Sequence, residues 1–370
     1  MKLIMKLITV LLAFGSVVVL AQPSTPGIVS PEIQADHTVT FRVLAPKATE
    51  VSLSGDWMAP NTPLPMAKDD RGVWSVTTGP LETGRAIYSF TVDGVTMADP
   101  VNPLIKLRSR TSGSLVDVKG TTPELWEPWD VPHGIIEANW AKSNVTGDTR
   151  AYYVYTPPGY NPGKGTRYPV LYLLHGNNDT ALGWTDVGKA NFIFDNLLSQ
   201  KKVVPMIIVM PWGHAVPFGG PQTDNTATFE KYVIEEVIPQ VEKKYKVAAG
   251  RENRAIAGFS MGGGHTLHIG LNHLDLFSAV AAFSTAVPRM FETNFKALLD
   301  DPKGTNAKLN LLWVGCGEQD PGFANNKALS DLLTKHTITN TFYAIPGRHT
   351  YTVWRHCLVE VAPLLFKKRQ

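Results

Sequence analysis

Apolar and polar residues alternate in short runs over the first third of the chain. The runs at residues 38–43, 50–54, 72–76 and 87–92 are separated by glycine and proline. A repeat of two residues places alternate side chains on one face, as in short antiparallel strands that each cover a core. Residues 22–120 are therefore predicted to form a small immunoglobulin-like β-sandwich.

The pattern changes after residue 135. Continuous apolar runs at 150–155, 171–174, 206–210, 255–257, 279–282, 311–314 and 342–345 alternate with helical segments. The clearest helix is 228–245, whose apolar residues recur at helical spacing. This alternation predicts an α/β fold for residues 135–370, with a mainly parallel sheet and helices on both faces. Prolines and tryptophans in 121–134 predict an extended linker packed against one or both domains.

The N-terminus has the pattern of an export signal. Lys2 and Lys6 precede an apolar run over residues 7–20, and Ala21 follows it. Such a run is too short to span a membrane, so we expect a signal peptide, residues 1–21, cleaved after Ala21. The mature protein is then predicted to be secreted, extracellular or periplasmic, without membrane insertion.

Composition excludes several classes of partner. The net charge is only +3, and the largest basic cluster is the C-terminal 367–369, so nucleic acid is not an expected partner. The chain has no phosphate-binding loop and no dinucleotide fingerprint. His265 and His268 lack the carboxylate of a zinc motif and are assigned to packing or surface roles. We therefore expect no cofactor and no metal.

Gly258-Phe-Ser-Met-Gly262 carries the candidate chemistry. The segment follows the apolar run 254–257 and precedes a helical stretch, which predicts a strand, a sharp turn and a helix. Such a turn holds its serine in a strained backbone conformation and exposes the hydroxyl at the end of the sheet. Ser260 is therefore the predicted nucleophile, although a serine that only caps the next helix has the same local pattern.

An acid and a histidine follow in the order that this architecture requires. The loop after the apolar run 309–314 carries Asp320, the predicted acid, and Glu318, the alternative. His349 lies just beyond the break at Pro346 that ends the next strand. A serine needs a base to take its proton, and the base needs a carboxylate to fix its tautomer. The backbone amides of Met261 and Asn177 are the predicted oxyanion donors.

These motifs together resemble one family. Leu173–Gly176, Gly258–Gly262, Gly315–Gly317 with Asp320, and Gly347–His349 are similar to the esterase-D-like branch of α/β-hydrolases. More narrowly, they resemble the family 1 carbohydrate esterases. That resemblance implies a serine esterase acting on feruloyl or acetyl esters of plant cell-wall polysaccharide, with siderophore-ester hydrolases and acyltransferases as relatives. Arg348 is a departure, since many relatives have a second glycine there.

The resemblance also directs attention to a substrate pocket and to the first domain. Four residues on loops after sheet strands are candidates to line an aromatic acyl pocket: Trp184, Trp212, His214 and Phe218. Ordinary loop packing is the alternative role for each of them. The first domain resembles family 48 carbohydrate-binding modules through residues 72–74, 88–94 and 99–100. Trp74 is assigned to its core. Trp57 is the residue that could contact a sugar or pack between the two domains. For the whole protein, the remaining alternative is a non-catalytic carbohydrate-binding protein.

The chain has two cysteines, and each lies beside a catalytic loop. Cys316 precedes the acid, and Cys357 follows the histidine. Because these loops must meet if the triad forms, a disulfide is possible in an exported protein. Two separate buried thiols are the alternative.

Overall fold

The computed structural model describes residues 27–216 and 225–367. The segment assigned to the signal peptide lies outside this range. The described residues form a β-sandwich followed by an eight-stranded sheet that is covered by helices on both faces. The predicted fold class, an α/β-hydrolase preceded by a β-sandwich, is confirmed.

The β-sandwich consists of two sheets, with strand orders β1-β2-β6-β5 and β4-β3-β7-β10-β9, and β8 pairs with β7. The strands are β1 Glu32–Ile33, β2 Val39–Leu44, β3 Val51–Gly55, β4 Leu64–Pro65, β5 Ala67–Lys68, β6 Val73–Thr78, β7 Gly84–Val92, β8 Val95–Met97, β9 Ile105–Leu107 and β10 Ser112–Val118. Phe41, Tyr88 and Phe90 fill the space between the sheets. Trp74 is buried with them, as predicted, and its indole donates to Ala45 O at 2.9 Å.

The large sheet has the order β11-β12-β14-β13-β15-β16-β17-β18. Its strands are β11 Ile135–Lys142, β12 Thr149–Thr156, β13 Val170–Leu174, β14 Ile207–Pro211, β15 Arg254–Phe259, β16 Ala279–Phe283, β17 Leu311–Gly317 and β18 Thr341–Ile345. β12 pairs antiparallel with β11 and with β14. The six strands β14-β13-β15-β16-β17-β18 are parallel to one another. The carboxyl ends of the parallel strands therefore share one edge, where the site lies.

Helices cover both faces of this sheet. They are α1 Gly183–Asp186, α2 Ala190–Ser199, α3 Asn225–Lys231, α4 Ile238–Lys244, α5 Met261–Asn272, α6 Phe291–Asn294, α7 Lys296–Asp300, α8 Pro302–Lys308, α9 Phe323–Lys335 and α10 Tyr351–Val361. A π-helical segment, Tyr232–Val237, joins α3 to α4. Alternate residues of β13 enter different cores, since Tyr172 packs with α3 and α5 whereas Leu173 packs with α2 and α10. Within the described ranges, no helix is long and apolar enough to cross a membrane.

The segment between the two domains packs on the helical layer. Asn196 of α2 donates to Leu125 O at 2.9 Å and to Glu127 O at 2.8 Å. The buried Trp126 ring lies edge-on to His356 with centroids 5.0 Å apart. The connection is therefore packed, as its composition predicted.

The two cysteines are free and buried, so the disulfide considered above is not formed. Successive residues of a strand point to opposite faces of the sheet. A side chain at Gly315 would meet Cys357 Sγ, 2.8 Å away, on the face covered by α10. Cys316, the next residue, points to the other face, where its Sγ lies 3.9 Å from Ser284 Oγ. The sheet itself separates the two thiols.

Candidate active site

Ser260 occupies the turn between β15 and α5 with φ 54° and ψ −118°. Non-glycine residues seldom adopt a positive φ, and such strain clusters at functional sites. The turn is held by the backbone, because Ser260 N donates to Phe283 O at 2.9 Å. A β-carbon at Gly262 would lie 2.4 Å from His175 O, so the close approach of α5 to the loop after β13 requires glycine there.

Asp320 and His349 form a close pair. His349 Nδ1 lies 2.7 Å from Asp320 Oδ2, and the carboxylate also accepts from Gly322 N at 2.7 Å. An ionised carboxylate can only accept, so Nδ1 of His349 carries the proton and Nε2 is left as the base. Burial raises the pKa of Asp320, but the hydrogen bond and attraction of His349 and the Gly322 amide outweigh it and lower the pKa below its ordinary value.

The position of each carboxylate explains which one pairs with His349. The Asp320 side chain is 2% exposed, whereas Glu318 points to solvent. The Glu318 amide donates to Ile345 O at 2.8 Å, which joins the acid loop to the end of β18. Asp320, not Glu318, therefore reaches the imidazole.

One aromatic cluster contacts His349 and contains Phe259, the residue before Ser260. The His349 ring lies edge-on to Trp354 with centroids 5.1 Å apart, and Trp354 stacks on Phe259, the neighbour of Ser260, at 3.8 Å. Over residues 27–216 and 225–367, no hydrogen bond joins the Ser260 hydroxyl to His349.

The loop after β13 lies against the nucleophile turn. A β-carbon at Gly176 would be 2.4 Å from the Phe259 ring and 3.2 Å from Ser260 Cβ. Asn177 follows Gly176, and Met261 is the first residue of α5. The elements that carry the two predicted oxyanion donors are therefore in contact around Ser260.

His175, which was predicted only as a member of the motif Leu173–Gly176, contributes to the position of this loop. Its ring is buried, with Nδ1 2.8 Å from Gly176 O and Nε2 accepting from Gly213 N at 2.8 Å. This pair of partners requires a neutral imidazole protonated on Nδ1. Burial accordingly lowers its pKa. His175 thus joins the loop after β13 to the loop after β14. The loop after β13, residues 175–182, carries the predicted donor Asn177 and is called the oxyanion loop below. In the sequence, only a His-Gly pair after an apolar run could have suggested this role of His175.

Asn225 and His265 extend this connection. Asn225 Oδ1 accepts from Ala215 N at 2.8 Å, and its amide lies 3.2 Å from His265 Nε2. His265 is 3% exposed and packs on Phe229 with ring centroids 4.7 Å apart. Burial lowers the pKa of His265 to about 3. The packing role predicted for His265 is confirmed.

The predicted pocket residues separate into different environments. Trp184 belongs to the core: it is fully buried in α1, its indole donates to Leu174 O at 3.0 Å, and its ring packs on Phe259. Its assignment to an open acyl pocket is corrected, because Trp184 lies in helix α1 with its ring buried against Phe259 and the end of β13. Trp212 is half-buried, and buried His214 lies beside His175 with centroids 5.3 Å apart. Phe218 lies outside the described residues.

Two depressions open at this end of the molecule. A cleft of about 580 Å³ separates His349 and Arg348 from the β3–β4 loop of the sandwich, residues 56–63. A groove of about 400 Å³ runs past Trp212, Tyr153 and the exposed Trp140 to Leu107. Both walls of the cleft carry polar side chains among apolar ones, whereas the groove has a larger apolar share with three aromatic residues.

Family models and known proteins match both regions. Residues 143–365 match the model named Esterase, and residues 29–102 match carbohydrate-binding module 48, the isoamylase N-terminal domain. The chain is 32% identical over 349 residues to an endo-1,4-β-xylanase/feruloyl esterase of Xylanibacter ruminicola. The match covers 92% of this chain but 46% of that relative, so the chain spans less than half of the relative's length.

Two solved structures are similar in fold. The family 1 ferulic acid esterase of Anaeromyces mucronatus is 25% identical, with a TM-score of 0.59 over 68% of this chain and 98% of its own. The enterochelin esterase of Shigella flexneri is 18% identical, with a TM-score of 0.68 over 91% of this chain and 95% of its own. The second likeness shows the fold alone and extends over nearly the whole chain.

Proposed function

Because this chain belongs to the Esterase family, as its motifs predicted, and is a carboxylic ester hydrolase, we propose that it hydrolyses feruloyl and related hydroxycinnamoyl esters on plant cell-wall polysaccharide such as arabinoxylan. Ser260, His349 and Asp320 carry the reaction in this proposal. The observation that supports the triad best is the 2.7 Å contact between His349 and Asp320 at the sheet edge that carries the strained Ser260.

The reaction proceeds in two halves. His349 Nε2 takes the proton of Ser260 Oγ as the oxygen attacks the ester carbonyl, and the amides of Met261 and Asn177 stabilise the resulting oxyanion. The intermediate collapses with release of the sugar alcohol, which receives its proton from His349. Water, activated by the same imidazole, then attacks the acyl-enzyme, and the free acid leaves as Ser260 regains its proton.

The proposed role of His349 indicates where the two parts of the substrate would bind. The group that protonates the leaving alcohol must contact that alcohol, so the sugar occupies the cleft between the His349 loop and the β3–β4 loop. The acyl group extends away from His349, toward Trp212 and the aromatic groove. Apolar, aromatic walls with few polar groups suit a hydroxycinnamoyl ring.

The sandwich and residues 1–21 also have roles in this proposal. The sandwich contributes a wall of the sugar cleft and binds the polysaccharide. Trp57, which is half-buried against Phe41 at 5.8 Å, lines a neighbouring depression between the domains. Residues 1–21 direct export, which places the enzyme where polymeric substrate is present.

A panel of esters tests the substrate. Purified protein should hydrolyse methyl ferulate and methyl p-coumarate and release ferulate from feruloylated arabinoxylan, with Ser260→Ala lowering turnover by about 10⁵-fold or more. Faster deacetylation of acetylated xylan would instead assign an acetylxylan esterase. Cleavage of a catecholate siderophore ester alone would place the chain with the enterochelin esterases, and transfer to an added alcohol would make it an acyltransferase. Polysaccharide binding without ester cleavage would refute the enzymatic proposal.

A further inference from the structure

A lysine of the sandwich is buried beside the oxyanion loop. Lys106 of β9 is 2% exposed, and its ammonium pairs with the carboxylate of Asp179. Asp179 is itself 6% exposed and lies two residues after Asn177. A charge buried to this extent is stable only with a partner, so each of these residues depends on the other.

Asp179 connects three structural elements. Its Oδ2 accepts from the Tyr351 hydroxyl at 2.6 Å, and its Oδ1 accepts from Thr180 N at 2.7 Å. Its own amide donates to Gly176 O at 3.3 Å, which closes the loop around Asn177. Tyr351 begins α10 two residues after His349. One carboxylate therefore ties the oxyanion loop to the start of the helix that follows the catalytic base.

The sandwich contacts the same loop at a second point. Ser109 N donates to Asn178 O at 3.4 Å, and Ser109 Oγ lies 3.3 Å from Asn178 Oδ1. Asn178 has a φ of 58°, a conformation that needs support from its surroundings. The downstream half of the loop is thus held by the sandwich, whereas the upstream half is held by His175.

We propose that Lys106 is a positioning residue for ester hydrolysis: by pairing with Asp179 it fixes the Asn177 amide in the oxyanion hole. The Asp179 carboxylate accepts from Thr180 N and from the Tyr351 hydroxyl together with the Lys106 ammonium, so the three contacts hold it in one position. Without Lys106 the buried Asp179 carboxylate loses its cationic partner, and the loop loses its fixed position. This inference rests on the serine-esterase chemistry proposed above and not on the identity of the acyl group.

The test uses the full chain and 4-nitrophenyl acetate, an ester too small to need the sugar cleft. In Lys106→Met we expect kcat to fall about 10²-fold with KM nearly unchanged, because an oxyanion donor acts mainly on the transition state. Active sites are counted by titration with a fluorophosphonate, so that unfolded protein does not contribute. Lys68→Met is the matched control. Lys68 lies on the same domain, is exposed and donates to Pro46 O at 2.7 Å, and its removal should leave kcat unchanged.

Two further variants separate positioning from general stability. Asp179→Asn combined with Lys106→Met removes both charges, and kcat per titrated site should recover relative to Lys106→Met alone. Lys106→Arg retains the charge and should retain more activity than Lys106→Met. An unchanged kcat per titrated site in Lys106→Met, or a loss confined to KM, would overturn the proposal. If the parent protein cleaves neither 4-nitrophenyl acetate nor the ester panel, the proposed function itself has failed.

Discussion

In the proposed active site, the two sides of Ser260 are built from different interactions. On the acid–base side, Asp320 and His349 come from loops after the neighbouring strands β17 and β18, and one hydrogen bond of 2.7 Å joins their side chains. On the oxyanion side, neutral imidazoles and amides link the loops after β13 and β14, and a buried ion pair extends to the sandwich. The acid–base side is therefore local to the sheet edge, whereas the oxyanion side depends on both domains.

The largest expected effect tests the acid–base side. In Asp320→Asn the amide cannot hold His349 in the tautomer that leaves Nε2 free, so kcat should fall by about 10⁴-fold with little change in KM. Glu318→Gln is the matched control, because Glu318 is exposed in the same loop and its removal should leave kcat nearly unchanged. A large loss in Glu318→Gln with a small one in Asp320→Asn would reverse the assignment of the acid.

The acid–base side and the oxyanion side differ in how well they could be predicted from the sequence. Ser260, Asp320 and His349 each end or follow an apolar run, so strand order and loop position predict them as the triad, and the structure pairs two of them. The sandwich and the parallel sheet likewise followed from period and run length. The Lys106–Asp179 pair joins residues that no local sequence pattern relates. In the sequence, a buried lysine on a short strand cannot be distinguished from an exposed one.

Three residues show what position along the chain cannot predict. Trp184 follows a strand, as a pocket residue would, but the short helix α1 turns it into the core against Phe259. Cys316 and Cys357 flank loops that do meet, yet strand alternation sends their thiols to opposite faces of the sheet. Side-chain direction, not proximity of the loops, decided both cases.

A smaller loss is expected when the oxyanion loop is displaced. In Gly176→Ala the new methyl group would lie 2.4 Å from the Phe259 ring, so the loop must move away from Ser260. We expect kcat to fall by about 10²-fold, the effect of losing one oxyanion donor. Gly165→Ala is the control, since a β-carbon there meets no atom within 4 Å. Equal activity of the two variants would mean that the Asn177 amide is not a donor.

Acidification should affect the oxyanion side first. The pKa of His265 is lowered by burial to about 3, so the folded state binds no proton there at pH 5, whereas an unfolded histidine with a pKa near 6.5 does. Its contribution to stability is complete above pH 6.5 and declines as the pH falls toward 3. The pKa of Asp320 is already below its ordinary 3.8, so that carboxylate does not titrate between pH 7 and 5.

Urea unfolding of His265→Gln at pH 7 and pH 5 measures this contribution. The parent should lose about 2 kcal/mol of unfolding free energy through His265 over this interval, from 1.36 kcal/mol per pH unit below 6.5. The variant lacks this loss, so its stability should approach or exceed that of the parent at pH 5. A constant difference between the two proteins at both pH values would show that His265 is not a buried neutral imidazole.

The smallest expected effect concerns the thiols on either face of the sheet. Because Cys316 and Cys357 are separate, a reductant should leave the melting temperature unchanged, and thiol labelling of the unfolded, unreduced protein should find two reactive cysteines. A disulfide closing the loop between them would stabilise the fold by about 4 kcal/mol, so its reduction would lower the melting temperature by several degrees. Labelling of the folded protein should be slow, since burial raises the pKa of Cys316 to about 12 and leaves little thiolate. A reductant-dependent melting temperature would require β17 to present Cys316 toward α10, which would also move the start of the Asp320 loop and so place the acid–base side in question.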